Sequence, residues 1–100
     1  MTDYDRRQFE EMVKRIERYR QGSLPFGKLI ADLEALLCAL ESTDDAWKRA
    51  FQKEWSKLEL LYADALDRGQ AALSAEAANI AAEAVENLWK LTNECLVPLR

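Results

Sequence analysis

Apolar residues recur along this chain at steps of three and four, and four separate stretches carry that rhythm. In the first, Phe9, Met12, Val13, Ile16 and Tyr19 fall on one face, which predicts a helix over about 4–21. Gly22 ends it, since glycine takes the left-handed C-cap geometry without a Cβ clash. In the second, Phe26, Leu29, Ile30, Leu33, Leu36, Leu37 and Leu40 form a wider stripe over about 24–41. A stripe that wide predicts a central helix touched on more than one side. Ser23 is positioned to cap it, with Pro25 near its first turn, where the missing N–H costs little.

Ser42-Thr43-Asp44-Asp45 reads as a helix start: a hydroxyl to cap and two carboxylates to meet the positive end of the dipole. Trp47, Phe51, Trp55, Leu58, Leu61, Tyr62, Ala65 and Leu66 then keep the helical period over about 44–68, with Arg68 in the last turn and Gly69 after it. Ser74 and Glu76 open a fourth helix over about 75–96, whose face is Ile80, Ala81, Ala84, Val85, Leu88, Trp89, Leu91, Cys95 and Leu96, with Pro98 beyond it. Its first half is rich in alanine, which lets neighbouring backbones approach. No repeat and no sustained heptad is present, so a long coiled coil is not expected. Four helices on short connections predict an all-α fold: a compact four-helix bundle-like single domain over 1–100.

Composition narrows this further. The longest apolar run, Ala35–Leu40, is far short of the roughly 20 residues that cross a bilayer. The opening Met-Thr-Asp-Tyr-Asp lacks the basic start and apolar stretch of a secretory signal, which predicts a cytoplasmic location. Cys38 and Cys95 sit far apart inside apolar patterns and read as small buried hydrophobes, not a disulfide.

The absence of histidine removes whole classes of chemistry. A di-iron bundle site needs Glu-x-x-His pairs, and zinc needs a Cys/His set. A Ser–His or Cys–His nucleophile is excluded on the same ground. Gly22–Gly27 has neither a Walker Lys-Ser/Thr pair nor a preceding strand. A carboxylate pair, Glu54 with Glu59 near Trp55 and Tyr62, is the remaining acid/base candidate, and it reads better as solvated charge or an ion pair. No enzyme activity, metal or cofactor is expected.

Charge is unevenly spread about a net of −4. Residues 1–28 hold seven Lys/Arg against five Asp/Glu, and residues 29–100 seven against thirteen. The first helix has six bases, but Glu10, Glu11 and Glu17 lie among them and allow pairs such as Glu10–Lys14 and Glu11–Arg15. With the chain acidic as a whole, neither nucleic acid nor an anionic membrane is an expected partner. Leu29–Asp45 has five acids and no base, which suits a basic partner. The candidate partner-binding residues are Asp32, Glu34, Glu41, Asp44, Asp45, Glu59, Asp64 and Asp67. The tryptophans and tyrosines fit either core packing or interface anchoring.

Residues 18–69 also carry a resemblance. The pieces are Arg18-Tyr19-x-x-Gly22, Leu29-Ile30-x-Asp32-Leu33-Glu34-Ala35-Leu36-Leu37-x-Ala39-Leu40, then Trp47, Phe51, Trp55, Leu58-Glu59, and Tyr62-Ala63-x-Ala65-Leu66-Asp67-x-Gly69. This half of the chain resembles the small helical immunity proteins of bacterial contact-dependent growth inhibition and related polymorphic toxin systems. The resemblance implies a cytoplasmic protein that binds the C-terminal domain of one cognate toxin, often a nuclease with a basic cleft, and blocks its active site. It assigns no binding residue. The alternative expectation is a self-associating structural or adaptor module, in which a homodimer buries the Phe26–Leu40 stripe.

Overall fold

Thr2 starts the chain's first helix: its Oγ1 accepts the Asp5 N–H at 3.1 Å, and α1 (Asp3–Arg20) follows. The other helices are α2 (Phe26–Ala39), α3 (Asp45–Asp67) and α4 (Ala75–Leu96). The computed structural model describes residues 2–70 and 72–96, so Pro98 lies outside the described residues.

The two predicted glycine stops are realised in the same way. Gly22 and Gly69 have φ of +81° and +67°. Behind them the chain doubles back: Gly22 and Ser23 donate to the carbonyls of Tyr19 and Arg18, and Gly69 and Gln70 to those of Leu66 and Ala65. Each pair of bonds satisfies helix-end carbonyls that would otherwise lack partners.

Two helix starts differ from expectation. Ser23 does not cap α2; its hydroxyl donates to the Arg18 carbonyl and closes α1, while Pro25, extended at φ −62° and ψ 151°, precedes α2 without a side-chain cap. Ser42 and Thr43 do not cap α3, which starts after Asp44 with no side-chain cap bond. Their hydroxyls are drawn instead to the buried carboxylate of Asp5, a charged acceptor that needs every available donor. Ser74 does cap α4, accepting the Ala77 N–H at 3.2 Å.

The helices pack as a ring: α1 on α2, α2 on α3, α3 on α4, and α4 back on α1, while across the diagonal Phe9 of α1 meets the Trp47 ring of α3 edge-on at 5.1 Å. Long-range pairs show antiparallel neighbours. Arg15 meets Asp32, Trp55 donates to the Ile30 carbonyl at 2.9 Å, and Trp47 donates to the Leu91 carbonyl at 3.0 Å. The interior is built from Phe9, Met12 and Ile16 on α1, Leu29 and Leu33 on α2, Phe51 and Leu58 on α3, and Val85 and Leu88 on α4. Burying each such side chain contributes about 1.5–3 kcal/mol relative to leaving it exposed. Ala81 and Ala84 are buried as well, and their size lets α4 sit close to its neighbours.

α2 is therefore a corner of the ring like the others, not a central helix. Its outer side carries Ala31, Glu34, Ala35 and Cys38, all exposed. Cys38 corrects the expectation of two buried cysteines: the apolar pattern around it is wider than the surface α1 and α3 can cover. Cys95 is half-buried.

Candidate functional site

The eight acids singled out from the sequence do not converge on one point. Asp32 is held against α1, with Arg15 Nε at 3.1 Å and Lys28 Nζ at 3.2 Å from its carboxylate. Asp64 pairs with Arg68 at 3.2 Å near the end of α3. Glu34, Glu41, Asp44, Asp45, Glu59 and Asp67 are exposed and form no ion pair among the described residues.

Five of these six belong to the α2–α3 hairpin in a related way. Trp55 and Tyr62 mark the side of α3 that faces α2, since they meet Ile30 and Phe26. Counting about 100° per residue from them places Asp45 and Glu59 on the flank just outside that seam. The same count from Ile30 puts Glu34 on the matching flank of α2. Glu41 and Asp44 lie in the connection between the two helices. The hairpin thus carries these five acids on its outer side, where the same count also places Lys48, three residues after Asp45; Asp32 and Asp64 lie on other sides of their helices and Asp67 at the far end of α3.

Glu54 and Glu59 are not a catalytic pair. Glu54 is buried against α4, accepting from Asn87 Nδ2 at 2.9 Å and from Lys57 Nζ at 3.1 Å. Burial acts to raise its pKa, but these bonds and the charges of Lys57 and Lys53 outweigh it and hold the carboxyl below the ordinary value. It stays ionised, the opposite of what a general acid needs. Glu59, five positions on, lies on another side of the helix and is exposed. Of the ion pairs expected on α1, Glu11–Arg15 is present at 3.1 Å, while Lys14 pairs with Glu11 at 3.7 Å and not with Glu10.

A second surface was not legible in the sequence. Phe26 at the start of α2 meets Tyr62, and Arg20 at the end of α1 bonds Glu86 and lies over the Trp89 ring. Yet α3 runs on to Asp67, and α4 starts at Ala75. The stretch from Ala75 to Glu86 is roughly 16 Å of helix. The α3–α4 hairpin therefore runs past the α1–α2 turn and leaves a step. The recess at that step is a hollow of about 600 Å³ lined by Tyr19, Phe26, Tyr62, Leu66 and Leu73, among others. Leu66 is 58% exposed at its lip, and Ile80 on the projecting part of α4 is 44% exposed. Tyr62 reaches in because Gly27 has no side chain: a Cβ there would stand 2.5 Å from the Tyr62 hydroxyl oxygen. Burial raises the pKa of Tyr19 above its ordinary value.

No protein-family model matches this chain, and neither does any curated protein or solved structure.

Among the described residues no group of three or more His, Cys, Asp or Glu is arranged to hold a metal ion, and no helix is long and apolar enough to cross a membrane. Two surfaces stand out. One is acidic and extended, the other apolar and recessed with aromatic walls, the chemistry of interface anchors.

Proposed function

We propose that this protein works by binding another protein, without catalysis, and that its acidic α2–α3 strip receives a basic partner. The observation that carries the reading is the set of Glu34, Glu41, Asp44, Asp45 and Glu59, exposed and without ion pairs among the described residues on one hairpin. Glu11, Asp32, Glu54 and Glu86 are engaged by neighbouring bases, and the other exposed acids without an ion pair among the described residues, Asp3, Glu10, Glu17, Asp67, Glu76, Glu83 and Glu94, lie outside this strip. Free carboxylates on a rigid scaffold steer a basic partner and discriminate against acidic ones.

The resemblance of residues 18–69 supplies the partner class. In this reading the chain is a cytoplasmic immunity protein of a polymorphic toxin system. The strip seats against the basic cleft of a cognate toxin domain, a nuclease in the leading form, and occludes its active site. No cofactor or nucleic acid takes part.

The test is affinity capture with the tagged protein from its native host, or from cells co-expressing the C-terminal domain of the toxin encoded beside it. The expected result is one basic, growth-inhibitory domain recovered in stoichiometric amount. Capture should fall sharply for the triple reversal Glu34→Lys/Asp45→Lys/Glu59→Lys, with helical circular dichroism unchanged. Full capture by the reversed protein would move the contact off this strip, and a host in which no toxin domain is captured would overturn the immunity reading.

A further inference from the structure

We infer that Asp5, which has no exposed surface of its own, is a positioning residue for partner binding: resting on the reading that the α2–α3 strip receives a basic partner, its role is to set the conformation in which Glu41 and Asp44 are presented.

Glu41, Ser42 and Thr43 join α2 to α3 and make no backbone–backbone bond among the described residues. The chain is extended on both sides of them, at Leu40 (φ −66°, ψ 135°) and at Asp44 (φ −57°, ψ 136°). Each hydrogen bond these three residues form among the described residues runs to Asp5, on another helix. The Glu41 N–H donates to Oδ1 and the Ser42 N–H to Oδ2, both at 2.9 Å. The hydroxyls of Ser42 and Thr43 donate to Oδ2 at 3.3 and 2.8 Å. Asp5 is itself fixed in the first turn of α1, where Thr2 Oγ1 accepts its N–H.

Joining two helices requires none of this. Ser and Thr are residues that cap a following helix, yet α3 starts without a side-chain cap. A carboxylate is buried instead, where well-packed apolar groups commonly stabilise a fold as much. A fully satisfied buried polar network selects one arrangement of the groups that it ties together. The arrangement selected here leaves two acids free. Asp44 stands at the N-cap of α3, but its side chain makes no cap bond. Glu41 and Asp44 are both exposed and without ion pairs among the described residues, and Leu40 beside them is buried, which anchors the pair to the bundle.

Acids held in one place bind without the entropic cost of ordering them first. A loosened connection is competent for only part of the time, and apparent affinity falls by that fraction. Asp5 thus acts on the partner through Glu41 and Asp44.

The experiment is a double-mutant cycle on the full chain, read by calorimetric titration with the purified C-terminal domain of the toxin encoded beside it. Asp5→Asn should weaken binding roughly tenfold, with helical circular dichroism unchanged at the temperature used. In a Glu41→Gln/Asp44→Asn background the same substitution should have almost no further effect. Loss of the Asp5 charge alone, or a general loosening of the fold, would weaken binding equally in both backgrounds. Ser42→Ala/Thr43→Val removes two of the four bonds but keeps the carboxylate, and should show the same coupling at smaller size. Amide hydrogen exchange supplies a readout free of any partner: the Glu41 and Ser42 amides should be protected in the wild type and exchange freely in Asp5→Asn. Additive effects in the cycle, or equal exchange in both proteins, would overturn the positioning role alone. A wild type that binds no basic domain would overturn the partner reading and this role with it.

Discussion

The buried carboxylate of Asp5 accepts the backbone N–H of Ser42 at 2.9 Å, tying the first turn of α1 to the connection between α2 and α3. The same carboxylate accepts the Glu41 N–H and the hydroxyls of Ser42 and Thr43. A lone buried charge would be costly; here its lone pairs meet donors that would themselves be short of partners. Asp5 thus holds the connection that carries Glu41 and Asp44, and so fixes one end of the acidic strip.

Asp5→Ala strands two backbone N–H groups at once. It should cost roughly 3 kcal/mol in urea unfolding, with Asp5→Asn costing less because one acceptor oxygen remains. Equal small losses in both variants would show that solvent replaces the carboxylate without penalty.

Acid sensitivity follows from the same contact. Burial alone would raise the Asp5 pKa, but the Glu41 and Ser42 N–H groups and the two hydroxyls together lower it from 3.8 to about 2. A carboxyl lowered in the folded state contributes stability that is full above its unfolded value and is lost as pH falls through its folded value. The amount is about 2 kcal/mol, lost between about pH 5 and pH 1. Glu54, also lowered, acts in the same direction. Thermal unfolding across that range should show the decline, and Asp5→Asn should flatten it.

Gly27→Ala tests the aromatic wall of the step. Its Cβ would sit 2.5 Å from the Tyr62 hydroxyl oxygen and 2.7 Å from Cζ, so the rigid ring must move. The substitution should destabilise the protein with Tyr62 present. In a Tyr62→Leu background it should stabilise by up to about 1 kcal/mol, since alanine loses less backbone entropy than glycine in a helix. A double-mutant cycle measures the coupling, and additive effects would mean that ring and glycine do not touch.

The cysteines should differ in reactivity. Cys38 is exposed on the outer side of α2. Cys95 is half-buried, and burial together with the neighbouring Glu94 raises its pKa. Maleimide or iodoacetamide followed by mass mapping should label Cys38 first and Cys95 more slowly. Equal rates would mean that the end of α4 opens readily.

Charge reversal on the acidic strip should leave the fold in place. Glu34→Lys and Glu59→Lys remove no ion pair of the described residues and should shift stability by no more than about 0.5 kcal/mol. Asp45→Lys should cost up to about 1 kcal/mol, because Asp45 stands in the first turn of α3 near the positive end of its dipole. Larger losses would mean these acids serve the fold, not a partner.

Much of the architecture was legible because it rests on local rules. The three- and four-residue apolar steps located all four helices to within two residues at each end, and Gly22, Gly69 and Ser74 work at the termini as their chemistry predicts. The roles of Ser23, Ser42 and Thr43 were not legible. A hydroxyl bonds whichever partner the fold brings near, and for Ser42 and Thr43 that partner lies 37 and 38 positions away in the sequence. The exposure of Cys38 was hidden for a similar reason, since an apolar stripe records what is able to be buried, not how much neighbouring surface exists to bury it.

By itself the sequence determined the helices, their order, the absence of histidine chemistry and an acid-rich middle, all properties of composition and of residues a few positions apart. Only the tertiary structure decided which acids stay unpaired, that Asp5 holds a connection and that two hairpins of unequal length leave an apolar step. Those depend on the relative register of helices, which is set by packing of the whole core and leaves no trace in any short stretch of chain.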